Sequence, residues 1–296
     1  MDSDFSLPSF AKINLLLRIL GKRPDGFHEL FTVFQSVSLH DRIRFARAKE
    51  IKLTCTSNRI PTDERNIIFK AALALKTKFG YSEGAELRLE KRIPSPGGLG
   101  GGSSNAAVAL LGLNRLWQLD ASIEKLQTIA SELGSDVPFF LYGGTAIGIG
   151  RGDKLEAIDD IEESAILIVT PKVRVSTARA FSRIEAPTLT KEDVERILRV
   201  CRLEAESLLP RQSTLINDFE QSVFNAHPEV LRVKSTLLEL GAVNAAMSGS
   251  GASVFAIFDK TETRQAAIKA LDHESTWRKF AVATISRSEY REALRC

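Results

Sequence analysis

Cysteine is scarce and scattered in this 296-residue sequence: Cys55, Cys201 and Cys296 are far apart, odd in number and without a CxxC pair. That excludes a disulfide framework and a cysteine-based zinc site. Histidine is equally sparse, and His28, His40, His227 and His273 have no metal-ligand spacing. No apolar run is long enough to span a bilayer, and the acidic start Met1-Asp2-Ser3-Asp4 lacks the apolar core of a signal segment. A dominant charge is missing too. The net charge is +3 with basic and acidic residues interspersed, so there is no basic stripe of the kind a nucleic-acid binder carries. The expectation is a reduced, cytoplasmic globular protein with no metal site of its own, no membrane and no nucleic acid among its partners.

What is present is a large apolar fraction, 44% of residues, enough for a substantial core. A single core rarely grows past roughly 250–300 residues, so two packed domains are expected, divided near Asp160 into 1–160 and 161–296. Residues 9–20 alternate as a strand, with Ala11, Ile13, Leu15, Leu17 and Ile19 on one face and Lys12, Asn14 and Arg18 on the other. Pro24-Asp25-Gly26 signals a turn, and a strand over 30–39 follows. Residues 63–79 read as a helix stopped by Gly80, and 85–93 as an alternating strand. Further helices are expected over 106–117 and 122–133, then strand and turns over 143–152. After a buried strand at 165–170, the second half reads as helices over 191–209, 218–226 and 228–240, two strands (the later over 253–258), a helix and a final strand.

The strongest local signal lies between the strand at 85–93 and the helix at 106–117. Residues 94–105 read Pro-Ser-Pro-Gly-Gly-Leu-Gly-Gly-Gly-Ser-Ser-Asn. Glycines let the backbone take positive φ and approach a ligand closely. The helix that follows offers unpaired N–H groups and the positive end of its dipole, which together suit phosphate oxygens. No Gly-Lys-Ser/Thr follows, so it is not a Walker A loop, and the doubled glycines do not fit the Rossmann spacing. A flexible surface loop with a serine N-cap is the bland alternative. A second small-residue segment, Met-Ser-Gly-Ser-Gly-Ala-Ser at 247–253, precedes a strand and could close over phosphates from the other half.

Lys12 and Asn14 share one strand face, and Asp136 sits in Gly-Ser-Asp-Val-Pro-Phe-Phe at 134–140. Phosphoryl transfer needs alignment and charge compensation more than covalent help. An aspartate beside an acceptor hydroxyl can take its proton, while a nearby lysine keeps the carboxylate ionised and offsets phosphate charge. On spacing alone, a helix N-cap for Asp136 and a solvated strand position for Lys12 are the favoured readings.

Taken in order, Lys12-x-Asn14, the loop at 94–105 and the segment at 247–253 resemble the three motifs of the GHMP kinase superfamily, over nearly the whole chain. Arg-Pro-Asp-Gly-Phe-His-Glu-Leu at 23–30 and Leu-Gly-Ser-Asp-Val-Pro-Phe-Phe at 133–140 place the resemblance in a branch whose acceptor carries a cytidine diphosphate group. The resemblance implies an α+β, two-domain fold, ribosomal-protein-like at the N-terminus and ferredoxin-like at the C-terminus, with the site in the cleft between. It implies ATP and Mg²⁺ as cofactors, a small-molecule alcohol as acceptor, and a monomer or weak homodimer. Lys12 and Asp136 would be the catalytic pair and Asn14 would orient the acceptor hydroxyl. His28 would hydrogen-bond the cytosine edge between Phe27 and Phe181. Asn66 and Lys91 would lie near adenine, with Gly97, Gly98, Gly100, Gly101, Gly102, Ser103 and Ser104 around the phosphates. By default the three base-site residues are a turn histidine and two core aromatics. Two departures stand out: Pro96 at the loop entrance removes a backbone donor, and Asp153 in Gly-Arg-Gly-Asp at 150–153 replaces the more usual glutamate. Rival readings are a kinase for a smaller alcohol such as homoserine or mevalonate, a non-catalytic nucleotide sensor, and an RNA-binding module.

Overall fold

The computed structural model describes residues 4–295, so Cys296 lies outside the described residues. Two long strands organise the first half: β1 (Phe5–Lys22) and β2 (His28–Ala48), antiparallel and joined by the turn at Gly26. The other edge of β2 is divided. Its C-terminal half pairs with β4 and its N-terminal half with β5, and β3 and β6 extend these in turn. The elements run β3 (Lys52–Cys55), α1 (Ile67–Phe79), β4 (Gly84–Glu90), α2 (Gly101–Trp117), α3 (Ile123–Leu133), α4 (Phe139–Tyr142), β5 (Thr145–Gly150) and β6 (Lys154–Ala157).

The second half contains β7 (Ile166–Thr170), α5 (Thr177–Ser182), α6 (Lys191–Glu206), β8 (Ile216–Asn217), α7 (Glu220–Ala226) and α8 (Pro228–Glu239). It continues through β9 (Asn244–Met247), β10 (Val254–Ile257), α9 (Thr261–Ala270), β11 (Arg278–Val282) and α10 (Arg287–Leu294). Its antiparallel sheet has the order β11-β7-β10-β9, the ferredoxin-like arrangement. The chain also crosses back. β8 pairs in parallel with β1, and α10 buries Tyr290 in the core of the first half.

Three apolar clusters stack the layers. One fills the space between the first sheet and α1–α4, and includes Phe45, Leu87 and Leu110. The second joins the two sheets, with Ile13, Phe31 and Val33 meeting Ile166, Ile168 and Phe255. The third lies between the second sheet and α7–α9. Each fully buried Ile, Leu or Phe contributes about 1.5–3 kcal/mol, so the middle cluster holds the halves firmly around any cleft between them.

Several expectations are corrected. The simple alternation of β1 fails because the register shifts between Asn14 and Leu16. Beyond it Leu17 and Ile19 pack in the third cluster, while Leu16 joins Ile13 and Leu15 in the second. A one-residue slip reverses every later side chain. Helix α1 begins at Ile67, four residues later than expected, because Asn66 caps it: its Oδ1 accepts from Ile68 N at 2.9 Å. Helix α2 begins at Gly101 rather than residue 106. Glycine's poor helix propensity argued for a loop, but a Cβ at Gly101 would lie 2.9 Å from Ile93 Cγ2. The missing side chain therefore lets the helix start tight against the chain leaving β4. Helix α10 lies beyond the expected elements, although its capping box, Ser286 with Glu289, is visible in the sequence.

Candidate active site

Lys12 is only 3% exposed, so it is not a solvated strand residue. Its Nζ donates to Asn14 Oδ1 at 2.6 Å and forms an ion pair with Asp136 Oδ2 at 3.6 Å. Burial pushes the Lys12 ammonium below the 10.5 of a free lysine, and the negative charge of Asp136 works against that shift. Asp136 lies in the turn between α3 and α4 with its side chain 35% exposed. It is not the cap of α4, whose N-cap position is Pro138. Its free face opens on a cavity of about 920 Å³ between the two halves.

Asn14 is held from three sides. Its Nδ2 donates to Thr32 Oγ1 at 2.8 Å, and Oδ1 also accepts from Gly249 N at 2.9 Å. Thr32 in turn donates to Leu16 O at 2.7 Å. This anchor comes from the pairing of β1 with β2, which no local pattern reveals.

The two small-residue segments touch directly. Ser253 N donates to Gly97 O at 3.1 Å, Ser248 Oγ donates to Gly98 O at 2.9 Å, and Lys12 N donates to Leu99 O at 3.0 Å. Gly98 has φ +73°, and a Cβ there would lie 2.0 Å from Ser248 O. Only glycine fits so close a crossing. Gly102, in the first turn of α2, differs: a Cβ there would meet nothing nearer than Ile67 Cγ2 at 4.0 Å. Open space at a helix N-terminus, edged by backbone N–H groups, is a place for phosphate.

Gly97, Gly98, Gly100, Gly101, Gly102 and Ser103 all line the cavity. Ser104 does not. It is buried, with its Oγ 2.8 Å from Ser9 Oγ, whose proton goes to Asn105 Oδ1 at 2.6 Å. Successive residues on a helix face different directions, so two adjacent serines need not share a surface. Asn66 and Lys91 are not among the residues lining the cavity either. The amide of Asn66 is used at the cap of α1 and on Pro61 O. Lys91 Nζ pairs with Asp41 Oδ2 at 2.6 Å and donates to Ile93 O at 2.7 Å. Asp41, fully buried, accepts from Arg92 N and Ile93 N as well, which fixes the exit of β4 toward the glycines.

At the far end of the cavity Phe27 is 51% exposed and is no core residue. His28 stacks on Phe181 with centroids 5.1 Å apart and planes at 26°. Phe181 sits on α5, capped by Ser176, and meets Phe219 edge-on at 4.8 Å. His28 Nε2 is buried without a hydrogen-bond partner. Burial, and secondarily Lys22, lower the His28 pKa, so at pH 7 the ring is neutral with one N–H and one lone pair. Arg151, not picked out from sequence, also lines this end with its guanidinium 4.6 Å over the Phe27 ring.

Residues 66–144 match the GHMP kinases N terminal domain family and residues 187–275 the GHMP kinases C terminal family. A 4-diphosphocytidyl-2-C-methyl-D-erythritol kinase of Chlorobium chlorochromatii is 41% identical over 266 residues, 89% of this chain and 91% of that protein. One from Exiguobacterium sibiricum is 39% identical over 257 residues, 86% of this chain and 89% of the relative. A crystal structure of 4-(cytidine 5'-diphospho)-2C-methyl-D-erythritol kinase superposes with TM-score 0.76 at 31% identity, covering 95% of this chain and 99% of that one. The mevalonate kinase of Methanococcus jannaschii, at 15% identity and TM-score 0.70 over 96% of this chain and 98% of that one, shares the fold. Motif order, two-domain architecture and extended identity agree: the chain belongs to the GHMP kinase family, in the branch of the 4-diphosphocytidyl-2-C-methyl-D-erythritol kinases.

Proposed function

We propose that this protein transfers the γ-phosphate of ATP to the 2-hydroxyl of 4-diphosphocytidyl-2-C-methyl-D-erythritol, a kinase step of the non-mevalonate isoprenoid pathway. The observation that carries the reading is convergence: the Lys12–Asp136 pair, the glycine-lined helix start and the Phe27, His28, Phe181 group share one cavity. A small alcohol such as homoserine or mevalonate would leave the aromatic end without a task.

Asp136 accepts the proton of the acceptor hydroxyl, whose oxygen attacks the γ-phosphorus in line as the bond to the β-phosphate oxygen breaks. Lys12 keeps Asp136 ionised and offsets the charge of the moving phosphoryl group. Asn14 holds Lys12 in place and lies beside the hydroxyl. The N–H groups at the start of α2 and the backbone of residues 97–102 cradle the ATP phosphates. On binding, a turn of the neutral His28 ring away from Phe181 presents its unpartnered Nε2, closed off in the free protein, to the cytosine edge, with Phe27 and Phe181 supplying aromatic faces. At the start of α2 the cavity wall offers Mg²⁺ the hydroxyl of Ser103, which would suit an ion held mainly by phosphates and water; when bound it would neutralise phosphate charge. The residue 160 division is read as the domain boundary, with β8 and α10 returning to the first domain. No helix among the described residues is long and apolar enough to cross a membrane, in keeping with a cytoplasmic enzyme.

The test is ATP consumption with Mg²⁺, comparing the cytidylated acceptor with methylerythritol phosphate lacking cytidylate. Turnover confined to the cytidylated acceptor is expected. Equal turnover of both would remove the base-binding roles of Phe27, His28 and Phe181.

A further inference from the structure

We infer that Arg23 and Glu29 are positioning residues for the acceptor's base, holding at one spacing the two turns that flank the base end of the cavity; the inference rests on the acceptor proposed above. The first turn, residues 23–27, joins β1 to β2 and brings Gly26, Phe27 and the following His28 to the cavity wall. The second, residues 150–153, joins β5 to β6 and brings Arg151 and Gly152 there. Arg23, Asp25 and Glu29 stand outside the lining.

One guanidinium ties the first turn to itself and to the second. Arg23 Nε donates to both oxygens of Asp25 at 3.2 Å and Nη2 to Asp25 Oδ2 at 3.0 Å, while Nη1 donates to Glu29 Oε2 at 2.6 Å. Asp25 Oδ1 accepts in turn from Phe27 N at 3.1 Å, and Arg23 N donates to Phe27 O at 2.8 Å. The second oxygen of Glu29 crosses to the other turn, where Oε1 accepts from Gly150 N at 3.1 Å. Gly150 is the last residue of β5 and pairs with Leu30 at the end of the ladder with β2. Its N–H thus goes to a side chain at the point where the sheet stops.

Burial does not supply this bracing. Phe27 is 51% exposed, and its ring meets the Arg151 guanidinium across the two turns at 4.6 Å. A stacking face on a loose turn has to be ordered each time a base binds, and that ordering is subtracted from affinity unless the turn is already fixed. The Arg23 and Glu29 side chains are 28% and 15% exposed, and ion pairs open to solvent add little to stability. A planar fork that spends three nitrogens on two carboxylates does set a spacing, which a lysine's single ammonium does not.

The experiment uses the full chain with Arg23→Met, Arg23→Lys, Glu29→Ala, Glu29→Gln and the double variant Arg23→Met/Glu29→Ala. Melting temperatures within about 4 °C of wild type are expected. The acceptor KM and the inhibition constant of cytidine, competitive with the acceptor, should both rise about 5–20-fold in Arg23→Met and in Glu29→Ala. The KM for ATP should stay within about twofold and kcat should fall by less than about threefold, a split that general loosening of the site would not give. Cytidine carries no charge, so its loss reports the base end and not the field of a missing cation. Arg23→Lys keeps the charge without the fork and should resemble Arg23→Met. Glu29→Gln keeps an oxygen for Gly150 N and should recover part of the loss. The double variant should bind cytidine no worse than the weaker single one, because each removes the same brace.

Unchanged cytidine inhibition in the folded single variants overturns the inference. So do KM values for ATP and acceptor that rise together, additive losses in the double variant, or an Arg23→Lys equal to wild type. If wild type turns over the cytidylated acceptor yet is not inhibited by cytidine, the base contributes too little to need bracing, and this inference falls alone. If wild type fails to turn over that acceptor at all, the proposed function itself fails, and this inference with it.

Discussion

Asn14 Oδ1 accepts from Lys12 Nζ at 2.6 Å and from Gly249 N at 2.9 Å. One amide oxygen in the first strand thus fixes the Lys12 ammonium and the turn after β9 together. Asn14→Ala should leave a buried ammonium and a buried backbone N–H without their acceptor. The expected cost is about 1–3 kcal/mol of stability by urea denaturation, together with reduced turnover. Stability equal to wild type would mean water replaces the amide and the bridge between the halves is dispensable.

Replacing Asp136 tests the reaction and the electrostatics at once. Asp136→Asn should lower turnover by about 10²–10⁴-fold, or about 3–5 kcal/mol of barrier. Asp136 opposes the burial-driven fall of the Lys12 pKa. Without it Lys12 loses its proton at lower pH, so the alkaline limb of the residual pH–rate profile should move down. Turnover within a few-fold of wild type would remove Asp136 from the chemistry.

The two buried lysines should respond unequally to substitution by methionine. Asp41, the partner of Lys91, is fully buried, so Lys91→Met strands a charge and should cost about 3–5 kcal/mol. Asp136, the partner of Lys12, keeps a side chain 35% exposed, so Lys12→Met should change stability by no more than about 1 kcal/mol while abolishing turnover. Burial lowers the pKa of both lysines, so the contrast comes from the carboxylate each leaves behind and not from linkage. The folded state binds the Lys12 proton less tightly than the unfolded chain, so this residue penalises stability at neutral pH. The penalty is relieved as pH rises through the folded pKa toward 10.5. Equal losses in the two variants would contradict this division of roles.

Gly98 and Gly102 separate folding from ligand binding. Gly98→Ala has no room beside Ser248 O and an unfavourable φ, so it should destabilise the protein. Gly102→Ala meets only Ile67 at 4.0 Å and stands in a helix, so it should leave stability unchanged or raise it by about 0.4–1 kcal/mol. If the open space serves phosphate, the added methyl should still raise the KM for ATP. An unchanged KM would place the phosphates elsewhere.

Much of this protein was written locally. The glycine-serine stretch, the paired Lys12 and Asn14, and the strand and helix periodicities were legible because residue type and spacing fix backbone freedom and side-chain direction over a few residues. Motif order then pointed to the family. What the sequence could not place were features that depend on which distant segment excludes water. Asp136 meets Lys12 because a turn after α3 folds against β1, and Ser104 turns to Ser9 while Ser103 faces the cavity. Asn66 and Lys91 are used for a cap and a buried ion pair. Arg151 comes over Phe27 because β5 pairs with β2. The bulge in β1 and the return of β8 and α10 arise the same way. A polar side chain's role is set by the partners that remain once solvent is removed, and those partners are brought together only by the tertiary fold.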